Sequence, residues 1–233
     1  MIQYNGVDLL DLVPIKIDDI VVSPIQLAPV VRPRAIKWGS DFVRMSGGTR
    51  KVTVTFALLE METAEREAFM QTLRDWAKTD KEYVINVPQS DTRHLEGVVT
   101  QLPDYSLRKW WENKIVLEFT CFNNPYWTSN ELVEVPCGTV FAVGGSAPPI
   151  MTLERNGGKL TNQKYESRKA SMLFSQIPAG GMVIDLNRET AAIGKASIMQ
   201  YYNPASSSWI VPEVGANQLI TGNGTVKYRE RWV

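Results

Sequence analysis

Few side chains in this sequence combine the types and spacings that enzyme chemistry requires. The single histidine, His94, lies in the polar stretch Asp91–Glu96 ahead of a predicted strand. A Ser-His-Asp or Cys-His arrangement would have to use His94 as its base, because the chain offers no other imidazole. A histidine on the surface or at a strand edge explains this residue better, and we expect it to have no catalytic role.

The sequence also contains few residues that could bind a metal ion or form a disulfide. The two cysteines, Cys121 and Cys137, cannot complete a four-ligand metal site with one histidine. The N-terminus lacks the basic region and apolar core of a secretory signal, so we expect no disulfide between them. The sequence therefore predicts two buried thiols, no metal and no other cofactor.

Paired carboxylates can serve a glycosidase, and Asp18-Asp19 is the clearest pair. Adjacent residues on a strand face opposite sides, however, so solvated charges explain this pair better. The sequence also lacks the GxGxxG, GxxxxGKS/T, GxSxG and HExxH motifs of nucleotide-binding and hydrolytic sites. These observations predict that the protein is not an enzyme.

Tryptophan is the remaining residue type that suggests a ligand. Trp110, Trp111 and Trp127 are conspicuous, and exposed aromatic rings stack on sugars or bases. Lys and Arg total 25, as do Asp and Glu, and no apolar run reaches the roughly 20 residues that span a bilayer. We expect neither sequence-specific nucleic-acid binding nor membrane insertion. Packing in a core or a subunit interface is the favoured role of these tryptophans, and sugar stacking is the alternative.

The elements that would position these residues are strands and one long helix in the first half. Residues 52–56 alternate apolar and polar side chains, which is the period of a half-buried strand. Further strands are predicted at 83–87, 97–102 and 115–122. The helix predicted over 63–79 has one apolar face, formed by Phe69, Met70, Leu73, Trp76 and Ala77.

Pro125 ends the strand before it, and the sequence pattern changes from Thr128 onward. Tyr126 and Trp127 are expected to close the base of the first domain where the chain leaves it. The Gly/Pro-rich stretch 143–149 is typical of a linker, and short strands with turn signals such as Asn223-Gly224 follow it. The sequence therefore predicts a mainly β protein, with an α+β N-terminal domain at 1–130, a linker at 131–149 and a C-terminal β-sandwich at 150–233.

We make separate predictions for two tryptophans of the C-terminal half. Trp232 lies in a predicted closing strand and should be buried there. Trp209 is the residue of this half best suited to stack on a sugar. Because no convergent set of polar groups accompanies it in the sequence, we expect no glycan binding tighter than roughly millimolar.

The order of the segments is distinctive over nearly the whole chain. The helix at 63–79 is followed by FNNPYW at 122–127, the Gly/Pro-rich stretch, GGMVIDL at 180–186, GANQLI at 215–220 and YRERW at 228–232. In this order and spacing the chain resembles the distal tail proteins, called Dit, of bacteriophages with long flexible tails. Each segment is degenerate by itself, so the resemblance rests on their arrangement.

The resemblance implies a structural role at the tip of a phage tail. In this family the N-terminal domain, built of strands and one helix, forms a hexameric ring around a channel through which DNA passes. The ring joins the tail tube to the tip or baseplate, and a galectin-like sandwich lies outside it. The implied partners are other copies of the chain, the tail tube protein, a tail-tip or tail-associated protein and a receptor-binding protein. The implied location is the virion tail tip, assembled in the host cytoplasm.

The same resemblance implies no sugar site of the galectin type. Residues 150–233 leave no room for the carbohydrate-binding insertions of some family members, and no histidine follows His94. A carbohydrate-binding adhesion module is the alternative function, supported by the predicted sandwich and the tryptophans.

Subunit contacts are expected first from the apolar, proline-spaced segment over about 20–37, whose prolines keep it out of a central strand. We expect this segment to form an arm that wraps the next subunit; a loop packed on its own domain is the alternative. The candidate subunit or domain interface residues are Ile25, Leu27, Val30, Val31, Trp110, Trp111, Tyr126 and Trp127.

Overall fold

The computed structural model of the chain describes residues 2–12, 15–33, 40–58, 63–102 and 114–233, without the side chains of 27–33, 40–47, 58, 63 and 114. The chain divides into two compact units, Met1–Trp127 together with Val233, and Thr128–Trp232. Each unit has its own hydrophobic core.

The N-terminal unit combines antiparallel strands with one long helix. In chain order the elements are β1 (Gln3–Tyr4), β2 (Val7–Asp8), α1 (Leu9–Leu12), β3 (Ile15–Val22), β4 (Gln26–Pro33), β5 (Ser40–Leu58), α2 (Thr63–Ala77), β6 (Tyr83–Asn86), β7 (Arg93–Gln101) and β8 (Lys114–Cys121). Strand β5 pairs with β3 and β8, strand β7 pairs with β8 and β6, and strand β1 pairs with β6 and β2. The helix predicted over 63–79 is present as α2, and each strand predicted in this half overlaps an observed one.

Sequence periodicity explains the core of this unit. Along β5, every second residue from Val52 to Phe56 is fully buried, as the two-residue period of a strand requires. The apolar face of α2 is buried as predicted, apart from the half-buried Trp76. Tyr4 joins the helix to the sheet, since its ring lies 5.3 Å from that of Trp76 and 5.1 Å from that of Phe119 between ring centroids.

The C-terminal unit is a β-sandwich, which confirms the mainly β fold. Its elements are β10 (Val133–Pro136), β11 (Val140–Val143), β12 (Ala147–Gly157), β13 (Leu160–Glu166), β14 (Ser171–Ile177), β15 (Gly180–Asp185), β16 (Thr190–Ile193), β17 (Ala196–Ser197), a 3-10 turn (Met199–Tyr201), β18 (Gly215–Leu219) and β19 (Thr225–Trp232). Its larger sheet has the order β10-β19-β12-β15-β16-β17, and the pairs β11–β18 and β13–β14 form two smaller sheets. Strand β9 (Trp127–Ser129) lies at the boundary between the units.

Side chains from the larger sheet and from the smaller ones share one core. Leu153 and Ile184 of the larger sheet are fully buried, as are Tyr165 and Phe174 of the β13–β14 pair. The closing strand β19 is present as predicted, but Trp232 is only half-buried. The buried aromatic residue of β19 is instead Tyr228, whose hydroxyl donates to the Ala142 carbonyl at 2.7 Å.

The linker predicted at 131–149 is wrong. This range contains β10, β11 and the start of β12, and Phe141, Val143 and Ala147 are buried in the C-terminal core. Gly145 adopts φ +91° where a Cβ atom would lie 2.2 Å from the Arg231 carbonyl oxygen. The prolines at 148 and 149 coincide with a register shift between β12 and β19. Here the glycine allows β19 to approach closely, and the prolines lie at a β-bulge. A linker would have the same glycine and proline pattern, so the sequence does not distinguish the two.

Candidate assembly surface of the N-terminal unit

Strand β4 and the first half of β5 form a two-stranded hairpin. Its backbone pairs run from Gln26↔Thr49 to Pro33↔Ser40. From Arg50 onward, β5 pairs with β8 and then also with β3. Within the described ranges, no other strand pairs with β4 or with residues 40–49 of β5. The hairpin therefore continues the line of β5 beyond the part that is held between two neighbours.

This hairpin changes the interpretation of the segment predicted as an arm. Residues 20–22 belong to β3 and residues 26–33 to β4, so the segment is half of a hairpin with its own chain and not a lone extended arm. Pro29 and Pro33 are accommodated because β4 has a strand on one side only. Leu27, Val30 and Val31 lie in β4 with side chains outside the description, and residues 110 and 111 lie outside the described ranges altogether.

Two hydrogen bonds between Ser23 and Lys51 hold the root of the hairpin, one of them to the Ser23 side chain. The Ser23 N–H donates to the Lys51 carbonyl at 2.9 Å, and the Lys51 N–H donates to Ser23 Oγ at 2.9 Å. Lys51 Nζ in turn lies 2.8 Å from Glu118 Oε1 on β8. These bonds hold the chain between β3 and β4 against β5, so the hairpin leaves the sheet from a defined position.

A pocket of about 570 Å³ opens beside this root. Two of the predicted interface residues, Ile25 and Trp127, line it together, and the half-buried Tyr126 precedes Trp127. Gln89 closes one wall and donates from Nε2 to the Ile20 carbonyl at 2.7 Å. The pocket is lined by Ile20, Val21, Val22, Ser23, Pro24, Ile25, Arg50, Gln89, Trp127 and Val233, which groups with this unit.

Arg50 is the functional candidate that sequence reasoning missed. Its side chain lines the pocket although the residue is only 3 % exposed, and its guanidinium carbon lies 6.0 Å from the centroid of the Trp127 ring. The signal was available, because Arg50 lies two residues before Val52 in an alternating strand and must share its buried face. Burial lowers the pKa of the Arg50 guanidinium from its ordinary value.

The residues first considered for catalysis do not form a catalytic arrangement. His94 is the second residue of β7 and is 8 % exposed, so of the two positions expected for it, the surface is wrong and the end of a strand remains. Asp18 and Asp19 are both exposed, because the pairing of β3 with β5 shifts between Ile17 and Asp19. Cys121 is buried and Cys137 half-buried, and both thiols are free.

Among the described residues, no group of three or more His, Cys, Asp or Glu side chains is placed to hold a metal. No helix in that part of the chain is both long and apolar enough to span a bilayer.

A second cleft, of about 390 Å³, lies in the C-terminal unit and includes Trp209. The Trp209 indole N–H donates to the Leu186 carbonyl at 3.0 Å, and its ring meets Tyr202 edge-on with centroids 5.3 Å apart. At the rim, Lys169 Nζ lies 2.7 Å from Glu213 Oε2. Trp209 packs against the core and uses its polar atom internally, so it is not a free aromatic platform.

Comparison with solved structures gives a strong match in fold. No protein-family model and no curated protein sequence matches the chain. The crystal structure of the SPP1 Dit (gp 19.1) protein aligns with a TM-score of 0.75 and 16 % identity, over 100 % of this chain and 98 % of that one. The chain has the fold of SPP1 Dit.

Two weaker structural matches are phage p2 baseplates in the activated conformation. The baseplate with Sr aligns with a TM-score of 0.47 and 9 % identity, over 94 % of this chain and 90 % of that one. The baseplate with Ca gives 0.46 and 10 %, over 93 % and 90 %. The match to SPP1 Dit covers both units of this chain, including the part of the N-terminal unit that carries the hairpin and the pocket.

Proposed function

We propose that the protein is a structural hub of a phage tail tip, without catalytic activity. Six copies would form a ring that joins the tail tube protein to the tip or baseplate and leaves a channel for DNA. Tail-tip or tail-associated proteins and a receptor-binding protein would attach to this ring, in a particle assembled in the host cytoplasm. The main support is the agreement in fold with SPP1 Dit, described as a paradigm of the hub adsorption apparatus in phages that infect Gram-positive bacteria, over both full chains.

The hairpin supplies physical support for self-assembly. A two-stranded hairpin is marginally stable by itself in water, and it gains stability when a third strand or another surface covers it. The outer edge of β4 has no strand beside it in the described part of the chain, so its backbone groups are available for pairing. A head-to-tail contact between copies closes into a ring when its rotation is fixed. We therefore assign the hairpin to the contact between neighbouring copies.

The test uses the full-length chain and a variant with a shortened hairpin. Deleting residues 28–46 joins Leu27 to Gly47-Gly48 and keeps the pair Gln26↔Thr49 at the root. Light scattering after size exclusion, with negative-stain electron microscopy, should show closed rings for the full-length chain. The variant should remain monomeric at the same concentration, because it lacks the surface that the neighbour covers.

Two outcomes separate the parts of the proposal. A full-length chain that stays monomeric at high concentration would contradict the ring, whereas rings from the shortened variant would contradict only the role of the hairpin. Circular dichroism and thermal melting serve as the control for folding. The N-terminal core lies outside the deletion, so the shortened variant should melt cooperatively as a monomer.

The adhesion alternative has a separate test. If the C-terminal cleft bound sugars through Trp209, a glycan-array signal would disappear in Trp209→Ala. We expect no such signal, because the indole N–H already serves Leu186 and the ring packs against the core.

A further inference from the structure

The sequence contains three Asn-Gly dipeptides, at 5–6, 156–157 and 223–224. Asparagine deamidates most readily in this dipeptide, because glycine has no side chain to hinder the attack of its backbone nitrogen on the asparagine amide. The reacting groups are the same at all three places. A large difference in reactivity between them must therefore come mainly from the way in which the fold holds each peptide group.

The reaction depends on the freedom of one peptide group. The glycine nitrogen loses its proton to solvent and attacks Cγ of the asparagine; a C–N bond forms, the Cγ–Nδ2 bond breaks, and Nδ2 takes a proton from solvent and leaves as ammonia. Water then opens the succinimide ring, at Cγ to give aspartate or at the backbone carbonyl carbon to give isoaspartate. Since the peptide group must rotate toward the side chain in the first step, hydrogen bonds that fix this group oppose the reaction.

The peptide group between Asn223 and Gly224 is fixed from several sides. Its carbonyl oxygen, that of Asn223, accepts the Tyr165 hydroxyl at 3.1 Å. The carbonyl of Gly224 accepts the Cys137 N–H at 2.9 Å. Gly224 also lies so close to the Glu154 carbonyl that a Cβ atom would not fit. Rotation of this peptide group would break the bond to Tyr165, whose side chain is fully buried.

The dipeptide at 156–157 is part of a paired strand. Asn156 and Gly157 are the last two residues of β12, and they pair with Gly181 and Gly180 of β15. Just beyond them, Arg155 Nη2 donates to the Gly158 carbonyl at 2.5 Å. Rotation of the peptide group would disturb this end of the ladder, so we expect slow reaction here as well.

The dipeptide at 5–6 lies in an exposed turn. Asn5 has φ 52° and Gly6 has φ 76°, and Tyr4 pairs with Val7, which defines a two-residue type I′ hairpin between β1 and β2. Both turn residues are exposed, and nothing lies within 4 Å of a Cβ atom placed on Gly6. Among the described residues, the peptide group between Asn5 and Gly6 has no hydrogen-bond partner.

The hairpin that carries this turn is also short. Strand β2 has two residues and, in the part of the chain that the structure describes, pairs with β1 alone. An edge pair of this length opens at a lower free-energy cost than a ladder anchored in a core. The turn can therefore reach the conformation for ring closure more often than the other two dipeptides can.

We propose that Asn5 is a site of spontaneous deamidation, and that the fold protects Asn156 and Asn223 from the same reaction. The products are aspartate and isoaspartate at the β1–β2 turn. Aspartate fits the turn, because Asp-Gly is also favoured in type I′ hairpins. Isoaspartate adds a methylene to the main chain of a two-residue turn. The site is independent of the proposed function.

The test incubates the folded full-length chain at mildly alkaline pH and follows the three peptides by mass spectrometry after digestion. Asn5 should convert at least about tenfold faster than Asn156 or Asn223. Equal rates at the three sites, or a faster rate at either of the other two, would overturn the proposal.

The unfolded chain is the control for flanking sequence. In guanidinium chloride the three asparagines should convert at rates within about threefold of one another, because the restraints of the fold are gone. If Asn5 keeps its full lead in the unfolded chain, its neighbours in the sequence explain the reactivity, and the role given to the fold is wrong.

Two variants test the sites separately. Tyr165→Phe keeps the ring and removes the hydroxyl that holds the Asn223 carbonyl, so it should speed conversion at Asn223 about fivefold and leave Asn5 unchanged. Conversion at Asn156 shows whether the variant has lost its fold more generally. No acceleration at Asn223 in a folded Tyr165→Phe chain would refute the protection of that site.

The second variant, Asn5→Asp, carries the charge of the product from the start. Native isoelectric focusing of the incubated wild type should show one growing acidic band, at the position of Asn5→Asp. The variant itself should gain no further band over the same period. Acidic bands that appear as fast in Asn5→Asp as in wild type would show that other sites react, and would overturn the proposal.

Discussion

The turn at Gly144-Gly145 offers a direct test of whether residues 143–149 are a flexible connection or part of the C-terminal fold. Gly145 has φ +91°, and a Cβ atom there would lie 2.2 Å from the Arg231 carbonyl oxygen. That oxygen accepts the Ser146 N–H at 3.0 Å. Gly145→Ala should therefore introduce backbone strain, a steric clash and the loss of the hydrogen bond from Ser146, just before β12, to β19.

The expected magnitude is the sum of these effects. An L-residue held at positive φ costs about 1–2 kcal/mol, and a lost backbone hydrogen bond costs about 1 kcal/mol. The displacement needed to relieve the clash adds to both, so Gly145→Ala should lower the free energy of unfolding by about 3 kcal/mol or more. Because Gly138 has φ +87° with no atom within 4 Å of the added Cβ, Gly138→Ala should cost only about 1 kcal/mol.

Urea unfolding of the full-length chain, followed by circular dichroism, measures both variants under the same conditions. Gly158→Ala is the neutral control, since nothing lies within 4 Å of the added Cβ there and its φ is not positive in the strained range. If Gly145→Ala and Gly138→Ala agree within about 0.5 kcal/mol, the close approach to Arg231 is absent in solution. The flexible linker predicted from the sequence would then be correct.

Core truncation should separate buried from exposed rings: Phe174→Ala should lower the free energy of unfolding by about 3–5 kcal/mol, whereas Phe122→Ala, 53 % exposed, should change it by less than about 0.5 kcal/mol in the same urea titration. The pKa of Cys121 rises from 9.0 to about 12 on burial, so its contribution to stability is complete below pH 9 and is lost as the pH rises toward 12. The loss should reach at most about 1.4 kcal/mol per pH unit, and Cys121→Ala should flatten that part of the stability profile. Limited proteolysis should not start within 131–149, because β10, β11 and the start of β12 are paired there; a first cut in this range, mapped by mass spectrometry, would contradict the fold.

Local signals were sufficient to predict α2 and the main strands. The burial of Phe69, Leu73 and Ala77 depends on a spacing of four residues along one helix. The burial of Val52 and Phe56 depends on alternation within one strand. Both periods are properties of a short piece of chain, so neighbours in the sequence determine which side chains turn inward.

The same alternation also placed Arg50 on the buried face, but it could not show what surrounds the guanidinium. Cys121 and Trp127 approach Arg50 from segments that are distant in the sequence. Their positions depend on the pairing of β5 with β8 and on the packing of the chain beyond β8. The sequence by itself therefore determined that a charge is buried, and only the tertiary structure showed that Trp127 and Val233 share its pocket.

Glycine and proline are the residues from which the structure of this protein was hardest to predict. Their pattern at 143–149 fits a flexible linker as well as a tight approach to β19, and the choice depends on the Arg231 carbonyl, which lies far along the chain. In the same way, the prolines of β4 excluded a central strand but did not reveal the pairing with β5. Composition and period determined which elements form and which faces are apolar. Pairings between distant strands, and the hairpin and pocket that result from them, were decided by the tertiary structure, because they depend on contacts between segments that no local pattern connects.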